Sequence, residues 1–227
     1  MIANIDRLQE TETIDQAPCS RFARIAGGPP ALPAAPALPA APRGWYSRGY
    51  LPHFDGGELT QFVTFRLADS LPQNVLERWR MELEAAQITD ADFRRRIELY
   101  LDQGYGSCAL RDERVAKMMQ ENLLHFDAVK YKLQAWVVMP NHVHLLLTPK
   151  EGHTLAEIMH SCKSYTSHEA NNILHRSGRF WFPESFDRYI RNYEHFVKTV
   201  AYIENNPVKA GLCAKPGDWL FSSAHFR

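Results

Sequence analysis

Residues 132–148, KLQAWVVMPNHVHLLLT, are the stretch of sequence that decides the fold. They contain two runs rich in aliphatic and β-branched residues, at 132–139 and 143–148, and such runs are typical of strands. Only a short turn at Pro140 and Asn141 separates the two runs, which predicts an antiparallel hairpin. The centre of the domain is therefore predicted to be an antiparallel sheet.

The segments on either side of this hairpin predict further strands and several helices. Dense β-branched and aromatic residues indicate a strand at 59–67, and a short strand is predicted at 186–190. Apolar residues at helical spacing predict helices, at 72–86, 91–102, 112–126, 154–174 and 193–205. Pro207 is expected to end the last helix, because proline lacks a backbone N–H. This order predicts an α+β fold, a ferredoxin-like or RRM-like antiparallel sheet with helices packed on it.

The first 44 residues have a different composition from the rest of the chain. Residues 28–43, GPPALPAAPALPAAPR, form a Pro/Ala tract that cannot be helical and predicts a stiff, extended linker after a disordered tail. The folded domain is expected to span 45–227, with 87–110 as an insertion.

Composition and charge narrow the class of protein. The chain has 227 residues, 45% of them hydrophobic, and a formal net charge of zero, so a globular domain without a strongly basic duplex-binding surface is expected. The start of the chain does not resemble a secretory signal, and no apolar run approaches about 18 residues. These features predict a cytoplasmic protein with no membrane partner. The four cysteines lack C-x-x-C spacing, and we interpret them as reduced thiols.

Two short motifs carry side chains suited to chemistry. His142 and His144 alternate on a predicted strand, so both side chains point to the same face and can share one divalent ion. Tyr202 and Asn206 are four residues apart on a predicted helix and share one of its faces. Each motif alone also fits a plain structural role: an ordinary histidine pair on a strand, or a packing tyrosine with a capping asparagine.

Together the two motifs have a consistent chemical logic. An ion held by two neutral imidazoles and one amide keeps open positions that a phosphate group can fill. A phenol one helical turn from such a ligand is placed to attack the phosphorus atom. Because its ordinary pKa is about 10, the phenol needs help to lose its proton. Oxygen donors favour Mg²⁺ or Mn²⁺ over Zn²⁺.

Four blocks of sequence in series resemble the single-tyrosine HUH transposases, and most closely their REP-associated branch in bacteria. The blocks are WVVMPNHVHLLLTP, LAEIMHSCKSYTSHEAN, FWFPESFDRYIRNYEHF and YIENNPVKAGL. The resemblance implies a metal pair at His142 and His144, a nucleophile at Tyr202 and a third ligand at Asn206. Insertion-sequence members usually carry Gln where this chain has Asn206. The resemblance also implies that the partner is single-stranded or hairpin DNA and that the protein is a monomer or a homodimer.

Several other residues have two open interpretations. Lys163 either contacts the scissile phosphate or is a solvated helix lysine. The arginines Arg179, Arg188 and Arg191 either follow a DNA backbone or are ordinary surface charge.

The aromatic pair at 181–182 either stacks on unpaired bases or packs in the core. Tyr165, on a helix in a motif block, is the rival nucleophile.

Three functional classes can be compared on these residues. A DNA-nicking and strand-transfer enzyme uses His142, His144, Tyr202 and Asn206 together. A catalytically idle nucleic-acid-binding module with an RRM-like sheet has no need of all four. A zinc hydrolase requires a third histidine or a carboxylate ligand, and the sequence offers none at a recognisable spacing.

Overall fold

The computed structural model describes residues 57–227 in full and the backbone of 44–47 and 52–55. The predicted tail and Pro/Ala linker lie outside the described residues, except Gly44 at its end. The described elements follow in chain order: β1 Gly44–Ser47, β2 Pro52–Asp55, β3 Gln61–Arg66, α1 Gln73–Glu84, α2 Asp90–Asp102, α3 Glu113–His125, β4 Tyr131–Val138, β5 His142–Pro149, α4 Leu155–Ile173, β6 Phe186–Tyr189 and α5 Tyr193–Lys209.

Four of the strands form one antiparallel sheet in the order β4-β5-β3-β6. The predicted hairpin is confirmed as the pair β4-β5, and β3 inserts between β5 and β6. In this register Thr64 lies opposite His144, and Phe62 lies opposite both Leu146 and Arg188. The predicted α+β class with an antiparallel sheet is therefore confirmed. The separate two-stranded hairpin β1-β2 was not predicted from the sequence.

Alternation along the strands divides the core into two layers on opposite faces of the sheet. One face buries Val63, Phe65 and Leu145 in a cluster that also contains residues of α3 and α4. The other face buries Phe62 and Leu146 in a cluster with residues of α5. Because His142 and His144 share the period-2 face of Leu146, they lie on the α5 side.

The prediction that Pro207 ends the last helix is wrong, because α5 continues to Lys209. Pro207 cannot donate to the carbonyl of Ile203, so one helical hydrogen bond is absent. The next turn still forms, since Ala210 N donates to the Asn206 carbonyl oxygen at 3.0 Å. Pro207 itself is buried inside the helix. Asn206 is therefore an interior helical residue rather than a cap.

None of the helices in the described part of the chain has the length and apolar character that a membrane crossing requires.

Candidate active site

The two histidines of β5 form the centre of the candidate site. His142 and His144 are each only 1% exposed, and their Nε2 atoms lie 3.1 Å apart. The strand geometry explains the pairing, since residues two apart point to one face. The structure thus brings together the two imidazoles that the sequence predicted as a pair.

Asn141 fixes which nitrogen of His142 carries the proton. The Asn141 Nδ2 donates to the carbonyl oxygens of Leu101 at 3.2 Å and Tyr105 at 3.0 Å. Its Oδ1 must therefore face His142 Nδ1, 2.7 Å away, and accept a hydrogen bond from it. A proton on Nδ1 leaves the lone pair of Nε2 available for a ligand.

His144 is held by β3 in a similar way. The Thr64 hydroxyl lies 2.7 Å from His144 Nδ1, and this contact orients the ring across the sheet. The Phe62 ring lies against the same imidazole, with centroids 5.5 Å apart. The neighbouring strand β3 therefore fixes the His144 ring, whereas Asn141 fixes the ring of His142.

Burial keeps both histidines neutral. Loss of water lowers the pKa of His142 to about 3, with a smaller contribution from the Lys209 ammonium. Burial also places the pKa of His144 well below its ordinary value, assisted by His142 and Lys209. Neutral imidazoles are the form that binds metal ions.

Helix α5 places Tyr202 and Asn206 against this pair. The Tyr202 ring lies 5.4 Å from the His144 ring and 5.8 Å from Phe62, between centroids. Asn206 is 1% exposed, and its Nδ2 lies 3.3 Å from His144 Nε2. The four residues named from the two motifs, 60 positions apart in sequence, thus meet at one point.

Two buried oxygens at this point are poorly satisfied by the described residues: Asn206 Oδ1 has no hydrogen-bond partner there, and the Tyr202 hydroxyl has only a weak contact with the Asn206 side chain. A buried polar atom without a partner is costly, so such atoms mark places where a ligand completes the structure. Here the oxygens belong to the predicted nucleophile and to the predicted third ligand.

The donor set fits a divalent cation of the Mg²⁺ or Mn²⁺ type. Two neutral imidazoles, with Nε2 atoms 3.1 Å apart, converge with the amide of Asn206, whose buried oxygen has no partner within the described residues. In residues 57–227 no cluster of three histidine, cysteine or carboxylate side chains could hold a metal. The alternative of a zinc hydrolase site therefore has no support in the described structure.

Helix α2 lies over the tyrosine. Its Asp102 accepts a hydrogen bond from Lys209 Nζ of α5 at 2.6 Å, and that ammonium lies 5.9 Å from the centre of the Tyr202 ring. Burial raises the pKa of Tyr202, and the carboxylates of Glu98 and Asp102 raise it further, while the Asn206 amide acts in the opposite direction. The phenol is therefore firmly protonated in this arrangement.

Three of the other predicted residues lie on α4 or beside it, away from the histidines. Lys163 Nζ donates to the carbonyl oxygens of Phe182 and Pro183, at 2.7 and 2.9 Å. It lines a cleft of about 610 Å³ that also includes Arg179. Tyr165 is 51% exposed on the same helix, which packs on the opposite face of the sheet from Tyr202.

The remaining predicted residues divide between core and site edge. Trp181 is buried, and its Nε1 donates to the Thr166 hydroxyl at 2.9 Å, so it packs in the core. Arg188 of β6 lies on the α5 face, with its guanidinium carbon 6.0 Å from the Phe62 ring. Arg191 is exposed between β6 and α5.

Several residues that support the site were not predicted from the sequence. They are Phe62 and Thr64 of β3, Asn141 as the hydrogen-bond partner of His142, and the α2 carboxylates Glu98 and Asp102. The alternation of β3 contained a usable signal, because Phe62 and Thr64 share one face of that strand. No sequence signal links α2 to the site, since that contact is formed only by tertiary packing.

Comparison with known proteins supports the resemblance. Residues 109–206 match the family model described as "Transposase IS200 like". The predicted resemblance is confirmed. This transposase-like region contains the histidine pair, Tyr202 and Asn206.

Two individual proteins are similar to this chain. A REP-associated tyrosine transposase from Escherichia coli K12 is 32% identical over 97 residues, which are 42% of this chain and 55% of that protein. The match thus spans about half the length of this curated relative. A solved REP-associated tyrosine transposase bound to a REP hairpin is 20% identical, with a TM-score of 0.47, covering 80% of this chain and 82% of the other.

Proposed function

We propose that this chain is a metal-dependent transposase-type enzyme that nicks single-stranded or hairpin DNA and transfers the strand through a covalent phosphotyrosine. The observation that carries the proposal is the meeting of Tyr202 with two neutral histidines, 5.4 Å between the Tyr202 and His144 ring centres. This reaction requires a nucleophile and a metal site that activates the phosphate, and a phenol beside a histidine pair can supply both. A DNA substrate of this kind also agrees with the expected cytoplasmic location.

His142, His144 and Asn206 would hold the Mg²⁺ or Mn²⁺ ion, the two histidines through Nε2 and the asparagine through Oδ1. Bound there, the ion would supply electrophilic activation of a phosphate. Asn141 and Thr64 keep the rings in place by occupying both Nδ1 atoms, at 2.7 Å each. The protein's own contribution is a fixed, neutral and water-excluding set of donors.

Tyr202 is the proposed nucleophile. Its Oη attacks phosphorus, the bond between phosphorus and the leaving deoxyribose oxygen breaks, and the phenolic proton is released while the leaving oxygen takes up a proton. The product is a phosphotyrosine ester on one strand end and a free hydroxyl on the other. Attack of a hydroxyl on that ester restores the phosphodiester and the phenol, so strand transfer needs no nucleoside triphosphate.

The test is formation of a covalent protein–DNA adduct. Labelled single-stranded and hairpin oligonucleotides are incubated with the full chain and Mg²⁺, Mn²⁺ or EDTA, then denatured and separated on a gel. We expect an adduct with either metal, none with EDTA and none for Tyr202→Phe. Mass spectrometry of the digested adduct should find the nucleotide on the peptide that contains Tyr202.

Two outcomes would contradict the proposal. Adduct formation by Tyr202→Phe that is lost in Tyr165→Phe would move the nucleophile to α4. Binding of DNA without any adduct under all metal conditions would favour the idle binding module. Because His142 is buried, His142→Ala is informative only if its unfolding temperature stays close to that of the wild type.

A further inference from the structure

A groove rich in positive charge lies where β6 leads into α5. It has a volume of about 340 Å³. We call it the basic groove, and its lining residues are Arg188, Arg191, Asn192, Glu194, His195 and Lys198. Asn192 caps α5 by accepting a hydrogen bond from His195 N at 2.8 Å, so the groove also includes the positive end of a 17-residue helix.

The charges in the basic groove are only partly neutralised by the residues that the structure describes. Lys198 pairs with Glu194 at 2.6 Å, within the same helix. The guanidinium groups of Arg188 and Arg191, by contrast, form no ion pair or hydrogen bond with any residue in the described part of the chain. Burial lowers the pKa of Arg188, as do the neighbouring Arg94 and Arg191, whereas the nearby Glu98 carboxylate acts in the opposite direction. Two neighbouring arginines that form no ion pair with the described residues favour an anionic ligand.

The groove leads directly to the proposed nucleophile. Arg188 lies 6.0 Å from the Phe62 ring, which in turn contacts the Tyr202 ring at 5.8 Å. His195 precedes Tyr202 by seven residues, two helical turns, so both side chains lie on one face of α5. Their separation along the helix axis is about 10 Å. A strand bound at Tyr202 would therefore pass the groove within a few nucleotides.

The surroundings favour a single strand over a duplex. Tyr193, next to the helix cap, is 80% exposed, and its ring is stacked with Phe196 at 6.4 Å between centroids. Exposed aromatic rings next to cations are the usual surface for unpaired bases. A duplex binder needs many phosphate contacts, whereas this groove is short and the chain has zero net charge.

We infer that the basic groove binds the sugar–phosphate backbone of the single-stranded DNA that flanks the scissile phosphate. Arg188 and Arg191 contact phosphates, Lys198 adds a third cation, and Tyr193 stacks on an unpaired base. The inference rests on the proposed function for the identity of the scissile site, but the groove's affinity for a single strand can be measured without cleavage.

The test measures DNA binding in the Tyr202→Phe background, in which no strand is cut. Fluorescence anisotropy with a labelled single-stranded oligonucleotide gives Kd at several salt concentrations. Arg188→Ala and Arg191→Ala should each weaken binding, and each should reduce the slope of log Kd against log salt concentration by about 0.7. Tyr193→Leu should weaken binding without changing the slope, because stacking releases no counterions.

A charge-matched control comes from the far edge of the sheet. Lys132 is exposed on β4, whereas β6 forms the opposite edge, so Lys132→Ala should leave Kd and slope unchanged while Lys198→Ala lowers the slope. Slopes for the groove variants equal to that of Lys132→Ala would overturn the inference. Equal losses with a blunt duplex would overturn its single-strand part. Failure of the wild type to form an adduct, with groove-dependent binding intact, would instead refute only the proposed function.

Discussion

At the level of single residues, the hydroxyl of Tyr202 is a polar group in an energetically unfavourable buried position. It is buried, and within the described residues it has only a weak contact with the Asn206 side chain. The hydroxyl of Tyr131, also buried, donates to the Leu123 carbonyl oxygen at 2.6 Å. The two tyrosines can therefore be compared directly: the Tyr131 hydroxyl stabilises the fold through a hydrogen bond, whereas the Tyr202 hydroxyl is proposed to react with the substrate.

We predict opposite effects of removing these two hydroxyls on the metal-free protein. Tyr202→Phe should leave the free energy of unfolding unchanged or raise it, because the deleted hydroxyl is buried with only a weak contact to Asn206. Tyr131→Phe should lower it by about 1 kcal/mol, because a buried hydrogen bond is lost and a carbonyl loses its donor. Urea unfolding in EDTA measures both. An equal loss in the two variants would show that Tyr202 has a structural partner.

The buried histidines make stability depend on pH. In the folded protein His142 stays neutral down to a pKa of about 3, and His144 also titrates well below its ordinary value. Unfolded histidines titrate near 6.5, so below that pH the unfolded chain binds more protons than the folded one. The free energy of unfolding should therefore be highest above pH 6.5 and should fall as the pH is lowered through that value.

The expected slope is at most about 1.4 kcal/mol per pH unit for each histidine. It is measured by urea unfolding in EDTA between pH 7.5 and 5. His142→Gln should make the dependence shallower, since one titrating group is removed. The same steepness in wild type and variant would mean that the histidines are not buried neutral in solution.

At the level of elements, α2 acts as a cover over the tyrosine. Its last residue, Asp102, is tied to Lys209 of α5, and beneath α2 lies a cavity of about 30 Å³ lined by residues that include Thr64 and Glu98. The histidines behind this cover are almost fully buried. We therefore expect α2 to move when a phosphate reaches them, so the stability of this contact should influence the rate of substrate entry.

We predict that Lys209→Met loosens α2. The ion pair is partly exposed and worth about 1 kcal/mol or less, so amide hydrogen exchange in 90–102 should increase by up to about fivefold. Lys198→Met removes the same charge from the same helix but breaks only the pair with Glu194 within α5. That control should leave exchange in α2 unchanged. Equal exchange in both variants would contradict a latch between Asp102 and Lys209.

Particular elements show what the sequence could and could not predict. The strands at 131–149 were predictable because two runs of aliphatic and β-branched residues joined by a short turn indicate both strands and their pairing. The helical spacing of Tyr202 and Asn206 likewise predicted a shared face. Periodicity does not say on which side of the sheet a helix packs, so Lys163 and Tyr165 could not be separated from the site. Periodicity also could not show that α5 continues beyond Pro207 to Lys209.

At the level of the whole molecule, one chain contains the complete set of site residues. The Tyr202 ring lies 5.4 Å from His144 of the same chain, and Asn206 reaches that histidine at 3.3 Å. A site assembled from two chains would require α5 to leave the core of its own subunit, where Ile203 is fully buried. We therefore predict that Tyr202 acts with the histidines of its own chain.

Mixing two inactive variants tests this arrangement. Tyr202→Phe and His142→Gln should each fail to form an adduct, and an equimolar mixture should also fail, because every site keeps one defect. Restored adduct formation in the mixture would demonstrate that tyrosine and histidines come from different chains. Wild-type protein diluted with either variant provides the control for simple mixing effects.

The segment 87–110, expected from the sequence to be an insertion, controls the orientation of the Asn141 side chain. The carbonyl oxygens of Leu101 and Tyr105 hold the Asn141 amide in one of its two possible orientations. Without them the amide could turn over and present its NH₂ to His142, which would move the imidazole proton to Nε2 and block that nitrogen. Deletion of 87–110 would therefore leave every proposed catalytic residue in place, yet we expect it to abolish adduct formation.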